Sequence, residues 1–158
     1  MIKIMFVCHG NICRSPMAEF IMKKLVRENG MNDDFYISST ATSTEEIWNG
    51  KGNPVYPPAK RELLKHGISC EGKCAVQLKK SDAEKYDLFV GMDSMNIRNM
   101  RKILGSDTDE KIYKLLTFAG RSDDVSDPWY SGDFETAYND IYEGCEGLFK
   151  YLTEERTI

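Results

Sequence analysis

Two residues near the start of the chain, Cys8 and Arg14, have the types and the spacing needed to handle a phosphate group. Cys8 follows an apolar run that predicts a strand, and Arg14 stands six positions later, where a helix is predicted to begin. A thiolate is a strong nucleophile, and a guanidinium presents a planar fork that matches two oxygens of a phosphate. The pair therefore predicts a nucleophile that attacks a phosphate ester.

The loop between these two residues is suited to binding an anion. It contains no proline, so each residue keeps its backbone N–H, and Gly10 and Asn11 tolerate left-handed conformations. The N–H groups can turn inward to form a nest, and the following helix adds the positive end of its dipole. This environment favours the thiolate form of Cys8. The alternative is that Cys8 is a buried strand cysteine before an ordinary helix.

A site that cleaves a phosphate ester with a poor leaving group also needs a proton donor. A phenol, for example, leaves as a phenolate with a pKa of about 10, so an acid near the leaving oxygen assists the reaction. Asp127 is the best candidate, because Pro128 restrains its backbone and two aromatic residues, Trp129 and Tyr130, follow. These rings fit the walls of a slot for a flat aryl group, and Trp48, in a Gly-rich loop, is a further wall candidate.

The role of Asp127 has alternatives within the same segment. Asp123 and Asp124 are competing acids a few positions earlier. An Asp-Pro turn in a charged loop, with no part in chemistry, is the structural interpretation.

The run VCHGNICRSPMAE, with a strand before it and a helix after it, resembles the low-molecular-weight protein tyrosine phosphatase family. The resemblance spans nearly the whole chain, and DPWY followed by DFETAY matches the late loop that carries the family's general acid. It implies that Cys8 forms a phosphocysteine, that Arg14 binds the transferring group, and that Asp127 acts first as acid and then as base. It implies no metal and no cofactor.

The resemblance also implies roles for residues around Cys8. Ser15 would hydrogen-bond the sulfur, Asn11 would hold the loop in a strained shape, and Cys13 would trap oxidised Cys8 as a disulfide, giving redox regulation. Ser43 and Asp93 are expected either to support the site or to serve a turn and a helix cap. The predicted phosphate-binding and substrate-binding residues are His9, Gly10, Asn11, Ile12, Cys13, Ser15, Trp48, Trp129 and Tyr130.

Some positions depart from the family pattern. The family often has an Asp before the helix that here starts near residue 57, and it is absent. A His and an Arg that commonly follow the His-Gly-Ile segment are missing from residues 69–76, and His9 replaces a smaller or apolar residue. These departures concern substrate preference and the support of the site rather than its chemistry.

Other functions compete with the phosphotyrosine interpretation. An arsenate reductase would relay a disulfide through two further cysteines, for which Cys70 and Cys74 are candidates. A protein arginine phosphatase would carry a threonine after Asn11, where this chain has the apolar Ile12. A non-enzymatic phosphate-binding module would lack the nucleophile or the acid. A metal site formed by His66 with the two cysteines lacks a fourth ligand.

The composition limits the partners and the compartment. The chain has 158 residues, a net charge of −4 and no run of 18 apolar residues, so we expect neither nucleic acid nor membrane as a partner. Its N-terminus lacks a signal-like segment, and five dispersed cysteines suit a reducing compartment, which predicts a cytoplasmic protein. The expected substrates are phosphotyrosine proteins or small aryl phosphates, with inorganic phosphate as the product.

The elements that must position these residues alternate between strand and helix. The predicted class is α/β: one doubly wound domain over residues 1–158, with a four-stranded, mostly parallel sheet and helices on both faces. Ligands in such folds bind beyond the carboxyl ends of the strands, where residues 8–14 lie. The sequence predicts strands at 2–7, 35–39, 87–92 and 111–115, helices at 15–28, 58–66, 94–104 and 134–152, and a loop at 40–58.

Overall fold

The computed structural model describes residues 1–155, in which strands and helices alternate as predicted. Four strands form one fully parallel sheet in the order β2-β1-β5-β6, and β3 pairs with β4 in a separate antiparallel hairpin. The elements are β1 (Ile2–Cys8), α1 (Arg14–Glu28), β2 (Phe35–Ala41), β3 (Ile47–Trp48), β4 (Lys51–Gly52), α2 (Pro57–Lys65), β5 (Leu88–Gly91), α3 (Ser94–Leu104), β6 (Ile112–Lys114), α4 (Pro128–Ser131) and α5 (Phe134–Lys150).

The central strand β1 is buried on both faces. Ile4, Phe6 and Cys8 belong to a large apolar cluster on the side of α1 and α5, whereas Met5 and Val7 belong to a second cluster with α3. This division follows from the two-residue period of a strand, which sends successive side chains to opposite faces. The predicted doubly wound arrangement, with helices on both faces, is confirmed.

The position of the site follows from the strand order. After β1 the chain first adds β2 on one side and later β5 on the other, so the order reverses at β1. The crevice beyond the carboxyl end of such a strand is the usual ligand site of an open α/β sheet. Cys8 is the last residue of β1 and pairs with Ala41, the last residue of β2.

The predicted loop at residues 40–58 was wrong in part, because it contains the β3–β4 hairpin. Asn49 and Gly50 join the two strands and both have positive φ angles, of 51° and 76°, as a type I′ turn requires. The hairpin packs closely on the chain beside it: a Cβ on Gly52 would lie 1.9 Å from the carbonyl oxygen of Ala75. The absence of a side chain at residue 52 therefore allows the hairpin to dock.

Apart from α4 and several short 3₁₀ turns, which were not predicted, the remaining differences lie at the ends of elements. α5 ends at Lys150 and is followed by one wider, π-type turn at Tyr151–Glu155, where the sequence predicted α-helix to residue 152. None of the helices in residues 1–155 is long and apolar enough to cross a membrane.

Candidate active site

The sulfur of Cys8 lies at the centre of the loop that joins β1 to α1. The residue is 3% exposed, and its Sγ accepts backbone hydrogen bonds from Asn11 N at 3.3 Å and Ser15 N at 3.4 Å. The hydroxyl of Ser15 is 3.0 Å from the same sulfur. Two backbone N–H groups and one hydroxyl therefore surround the sulfur, an arrangement that can stabilise a thiolate.

Asn11 takes the left-handed conformation that the loop needs, with φ of 58°. Its side chain secures this conformation: Nδ2 donates to Ser15 Oγ at 2.7 Å and to Ser39 Oγ at 2.9 Å, and Oδ1 accepts from Val76 N at 3.0 Å. Strained backbone persists where surrounding contacts over-determine it. Gly10 does not use its left-handed freedom; a Cβ there would lie 3.2 Å from Glu46 Cγ, so its small size serves a close approach.

A buried carboxylate, Glu19, lies at the far end of this hydrogen-bond network. Ser39 Oγ is 2.6 Å from Glu19 Oε1, and Lys23 Nζ is 2.5 Å from Oε2. Lys73 Nζ is 3.7 Å from Oε1 and donates to the Ser39 carbonyl at 2.9 Å. Burial lowers the pKa of Lys73, and the nearby Glu19 partly offsets that effect.

The carboxylate fixes the direction of the hydrogen bonds. An ionised Glu19 only accepts, so the Ser39 hydroxyl donates to it and uses its oxygen to accept from Asn11. The second N–H of the Asn11 amide goes to Ser15 Oγ, which leaves the Ser15 hydroxyl hydrogen free to point at Cys8 Sγ. Glu19, Ser39 and Lys73 were not predicted from the sequence. The signal for Glu19 was its position, as a charged residue, within the buried stripe of α1.

Arg14 lies at the first turn of α1 and is 3% exposed. Its Nη1 donates to Asp93 Oδ2 and to the Val125 carbonyl, both at 2.8 Å, and its Nη2 is 3.6 Å from Asp127 Oδ2. Burial by itself would lower the pKa of Arg14, but Cys8 and Asp93 more than offset this and the pKa lies above its usual value. The guanidinium is therefore a permanent, fixed cation.

Asp93 has both of the roles predicted for it, because it supports the site and also caps a helix. Its Oδ1 accepts from Asn96 N at 2.8 Å and caps α3, while its Oδ2 holds Arg14. Ser43 serves a turn instead: its Oγ accepts from Glu45 N at 3.0 Å, and its N donates to the His9 carbonyl.

Asp127 faces the same cavity from the opposite side. It caps α4 by accepting from Trp129 N at 3.0 Å, and its side chain is 30% exposed. The Trp129 ring packs against Tyr56 with 4.6 Å between ring centroids. The cavity has a volume of about 380 Å³ and is lined by Cys8, His9, Gly10, Ile12, Cys13, Arg14, Glu45, Glu46, Asp127, Trp129 and Tyr130.

The structure does not bring every candidate to this cavity. Trp48 is 79% exposed on the β3–β4 hairpin and does not line it, because the short hairpin directs the ring to solvent. Glu45 and Glu46, which the sequence analysis did not select, take that wall. Asp123 is bound by Arg121, whose hydrogen bonds lower its pKa, and Asp124 is bound by Lys114; neither lines the cavity.

The cysteines differ in their surroundings. Cys13 is buried against Ile12 and Ala75, and burial, followed by the proximity of Cys8, raises the pKa of its thiol. Cys70 is buried and Cys74 exposed, and neither lines the Cys8 cavity. In residues 1–155 no group of three or more His, Cys, Asp or Glu side chains is arranged to hold a metal ion.

Comparison with known proteins decides the family. Residues 3–158 match the family model of the low molecular weight phosphotyrosine protein phosphatases. The chain belongs to this family. A relative in the family, the low molecular weight protein-tyrosine-phosphatase YfkJ of Bacillus subtilis, is 36% identical over 160 residues that cover the whole of both chains.

Solved structures of family members superpose closely on the chain. The crystal structure of YfkJ gives a TM-score of 0.92 at 35% identity and covers 99% of this chain and 98% of that one. SP-PTP, a low molecular weight protein tyrosine phosphatase from Streptococcus pyogenes, gives 0.86 at 38% identity, with 98% and 95% covered. The arginine phosphatase YwlE gives 0.84 at 23% identity, with 98% of each chain covered, a likeness of fold alone.

Proposed function

We propose that this family member hydrolyses phosphotyrosine in proteins, and small aryl phosphates, through a phosphocysteine on Cys8. The observation that carries the proposal is the placement of Cys8 Sγ among three hydrogen-bond donors, with Arg14 and Asp127 in the same cavity. The thiolate attacks phosphorus in line, the P–O bond to the tyrosine breaks, and the phosphoryl group moves to sulfur.

Arg14 and the loop N–H groups bind the transferring group. Nη1 of Arg14 is engaged by Asp93 and Val125, which leaves Nε and Nη2 for two phosphoryl oxygens. Because these donors are fixed before substrate arrives, they stabilise the charge of the transition state without reorganisation. The Ser15 hydroxyl stabilises the thiolate both before attack and when the sulfur leaves again.

Asp127 moves the protons of both steps. It gives a proton to the departing phenolate and, as a carboxylate, then takes one from the water that attacks phosphocysteine. Its partial exposure allows water to reach it, and its distance of 3.6 Å from Arg14 Nη2 leaves it beside the bound phosphoryl group. The second step releases inorganic phosphate and restores Cys8.

The walls of the cavity favour an aryl ester. Trp129 and Tyr130 lie on one side, and Ile12, which is 8% exposed, presents an apolar side chain where a phosphoarginine enzyme would use a threonine. Arsenate reduction needs a cysteine relay, and Cys70 and Cys74 lie outside the cavity. Phosphotyrosine therefore fits the site better than either alternative.

A side-by-side assay tests the proposal. The chain is given a phosphotyrosine peptide, a phosphoarginine peptide and arsenate with thiol reductant, and kcat/KM is measured for each. We expect the phosphotyrosine peptide to exceed the others by at least about a hundredfold. Faster hydrolysis of phosphoarginine, or reduction of arsenate, would refute it.

We also propose that peroxide controls the activity reversibly. Peroxide oxidises the Cys8 thiolate to a sulfenic acid, and the Cys13 thiol attacks that sulfur, expelling water and forming a disulfide. Cys13 lines the same cavity, which supports this pairing. Thiol reductant should restore activity after peroxide, and Cys13→Ser should lose that recovery whereas Cys70→Ser keeps it. Peptide mapping that joined Cys8 to Cys70 or Cys74 would contradict the pairing.

A cytoplasmic location completes the proposal. All five cysteines are unpaired, which suits a compartment that keeps thiols reduced, and a thiolate nucleophile needs such a compartment to stay active. Cell fractionation followed by immunoblotting tests it; recovery in the medium or in the membrane fraction would count against it.

A further inference from the structure

The entrance of the Cys8 cavity has two unlike walls. Glu45 and Glu46, in the turn before β3, form a carboxylate wall, and Trp129 and Tyr130 form an aromatic wall. The aromatic wall accounts for the preference for a phosphotyrosine ring. The carboxylates have no part in the proposed reaction, yet they lie where the substrate's polypeptide must pass.

The negative charge of this wall is not balanced by nearby cations. Arg14 lies buried at the base of the cavity, and no lysine in the described part of the chain lines it. His9 Nε2 is 3.0 Å from Glu45 Oε2, so one carboxylate has a partner that is cationic only when protonated. Glu46 Oε1 accepts from the neutral amide of Asn53 at 2.9 Å.

The wall is held against the phosphate loop by backbone contacts. Ser43 N donates to the His9 carbonyl at 3.0 Å, and Asn53 N donates to the Glu46 carbonyl at 2.8 Å. The missing side chain of Gly10 lets Glu46 approach the loop closely. The backbone that carries the two carboxylates is therefore held beside the loop that would bind a phosphoryl group at Cys8.

We propose that Glu45 and Glu46 select protein segments in which a lysine or arginine stands next to the phosphotyrosine. This inference rests on the proposed phosphotyrosine activity and names its substrate class. With the ring between the two walls, the neighbouring residues of the substrate lie at the rim, where a cation is attracted and a carboxylate is repelled. Because exposed ion pairs are individually weak, we expect a preference of about three- to tenfold in kcat/KM.

Three phosphotyrosine peptides that differ only in the residues flanking phosphotyrosine test the proposal. The flanking residues are lysine, glutamine or glutamate, and kcat/KM is measured for each peptide at low and high ionic strength. We expect the order lysine, glutamine, glutamate, with a spread that shrinks as salt screens the charges. A double variant, Glu45→Gln with Glu46→Gln, should bring the three values together.

Glu110→Gln is the matched control. Glu110 is exposed and precedes β6, at the edge of the sheet opposite the site, so the variant should keep the full preference. The readout is a ratio of substrates for one preparation, so partial unfolding of a variant does not alter it.

The outcomes separate this inference from the proposed function. Equal hydrolysis of all three peptides, or a preference that survives the double substitution, overturns the inference and leaves phosphotyrosine hydrolysis standing. Failure to hydrolyse any phosphotyrosine peptide, while phosphoarginine is hydrolysed, refutes the proposed function and the inference together.

Discussion

The two loops that meet over the cavity are built in opposite ways. In the nucleophile loop (residues 8–14, with the proposed nucleophile Cys8), Asn11 and Arg14 are at most 3% exposed, as is Cys8 itself. Side-chain hydrogen bonds extend from the sulfur to Glu19 in the protein interior. These buried hydrogen bonds fix the shape of the loop before any substrate binds.

The acid loop, residues 121–130 with the proposed acid Asp127, is more exposed, although its Val125 is buried, donates to the Met92 carbonyl and accepts from Arg14. Tyr130 is 86% exposed, and the Asp127 side chain keeps 30% of its surface. Upstream, Arg121 binds Asp123, Asp140 and Glu143. In the proposed mechanism the nucleophile needs donors that stay fixed, whereas the acid must exchange a proton with water in each cycle. The exposure of each loop suits that proposed task.

The largest effect should follow from removing the nucleophile. Cys8→Ser should reduce kcat on aryl phosphates to less than about a thousandth, because a serine hydroxyl does not ionise in the nest at neutral pH. Inorganic phosphate should still bind, as measured by calorimetry, since Arg14 and the loop N–H groups remain. The exposed Cys74→Ser is the control and should keep full activity. Appreciable turnover by Cys8→Ser would refute the mechanism.

Removing the acid should give the next largest effect, and one that depends on the leaving group. Asp127→Asn should slow phosphotyrosine hydrolysis by about 10²–10⁴-fold and a highly activated aryl phosphate far less, because only a poor leaving group needs the proton. Asp124→Asn, three positions earlier, is the control. Equal losses on both substrates would mean that Asp127 has a purely structural role. The exposure of its loop would then have no connection with proton transfer.

A smaller effect should follow from weakening the hydrogen bonds behind Cys8. In Glu19→Gln an amide N–H can face Ser39 Oγ, where it competes with the N–H of Asn11 and weakens the hold on the side chain that fixes Ser15 beside the sulfur. We expect kcat to fall by about tenfold and the rate of Cys8 alkylation by iodoacetate at neutral pH to fall with it. Glu28→Gln, on the exposed side of α1, should change neither. If Cys8 of the Glu19→Gln variant is alkylated at the unchanged rate, the hydrogen bonds between Glu19 and Cys8 contribute only to packing.

The smallest effect should come from the anchor of the acid loop. Arg121→Gln removes three ion pairs, two of them exposed and the one with Asp140 part-buried. Because such pairs are individually weak, we expect a loss of about two- to fivefold on phosphotyrosine and less on an activated ester. Arg101→Gln, which breaks an exposed pair with Asp109, is the matched control. A loss as large as that of Asp127→Asn would mean that the acid loop is as tightly organised as the nucleophile loop.

The two loops also differ in how far the sequence predicted them. The run from Cys8 to Ser15 is continuous, so local spacing alone predicted a strand, a nest and a helix start, and the parallel sheet followed from the alternation of elements. Asp127 was selected from three nearby aspartates through its Pro and its aromatic neighbours, and the structure places it alone of the three at the cavity.

What the sequence did not predict depends on contacts between distant residues. Glu19 and Lys73 are 54 positions apart, and nothing local indicates that one neutralises the other in the interior. Trp48 was predicted to line the slot because it is a large aromatic residue in a Gly-rich loop, although the Asn49-Gly50 pair that follows it is a strong signal for a tight hairpin. A hairpin at these residues favours Glu45 and Glu46, just before its first strand, as the residues that line the cavity.

The bond from Val76 N to Asn11 Oδ1 has a consequence for how this site tolerates change. The loop around Cys8 receives this support from the main-chain N–H of residue 76, which every residue type except proline carries. Val76 itself is 49% exposed and its side chain is not needed for the bond. Residue 76 therefore lies one hydrogen bond from the Asn11 side chain that shapes the loop, and its side chain can change, except to proline, without disturbing the nucleophile.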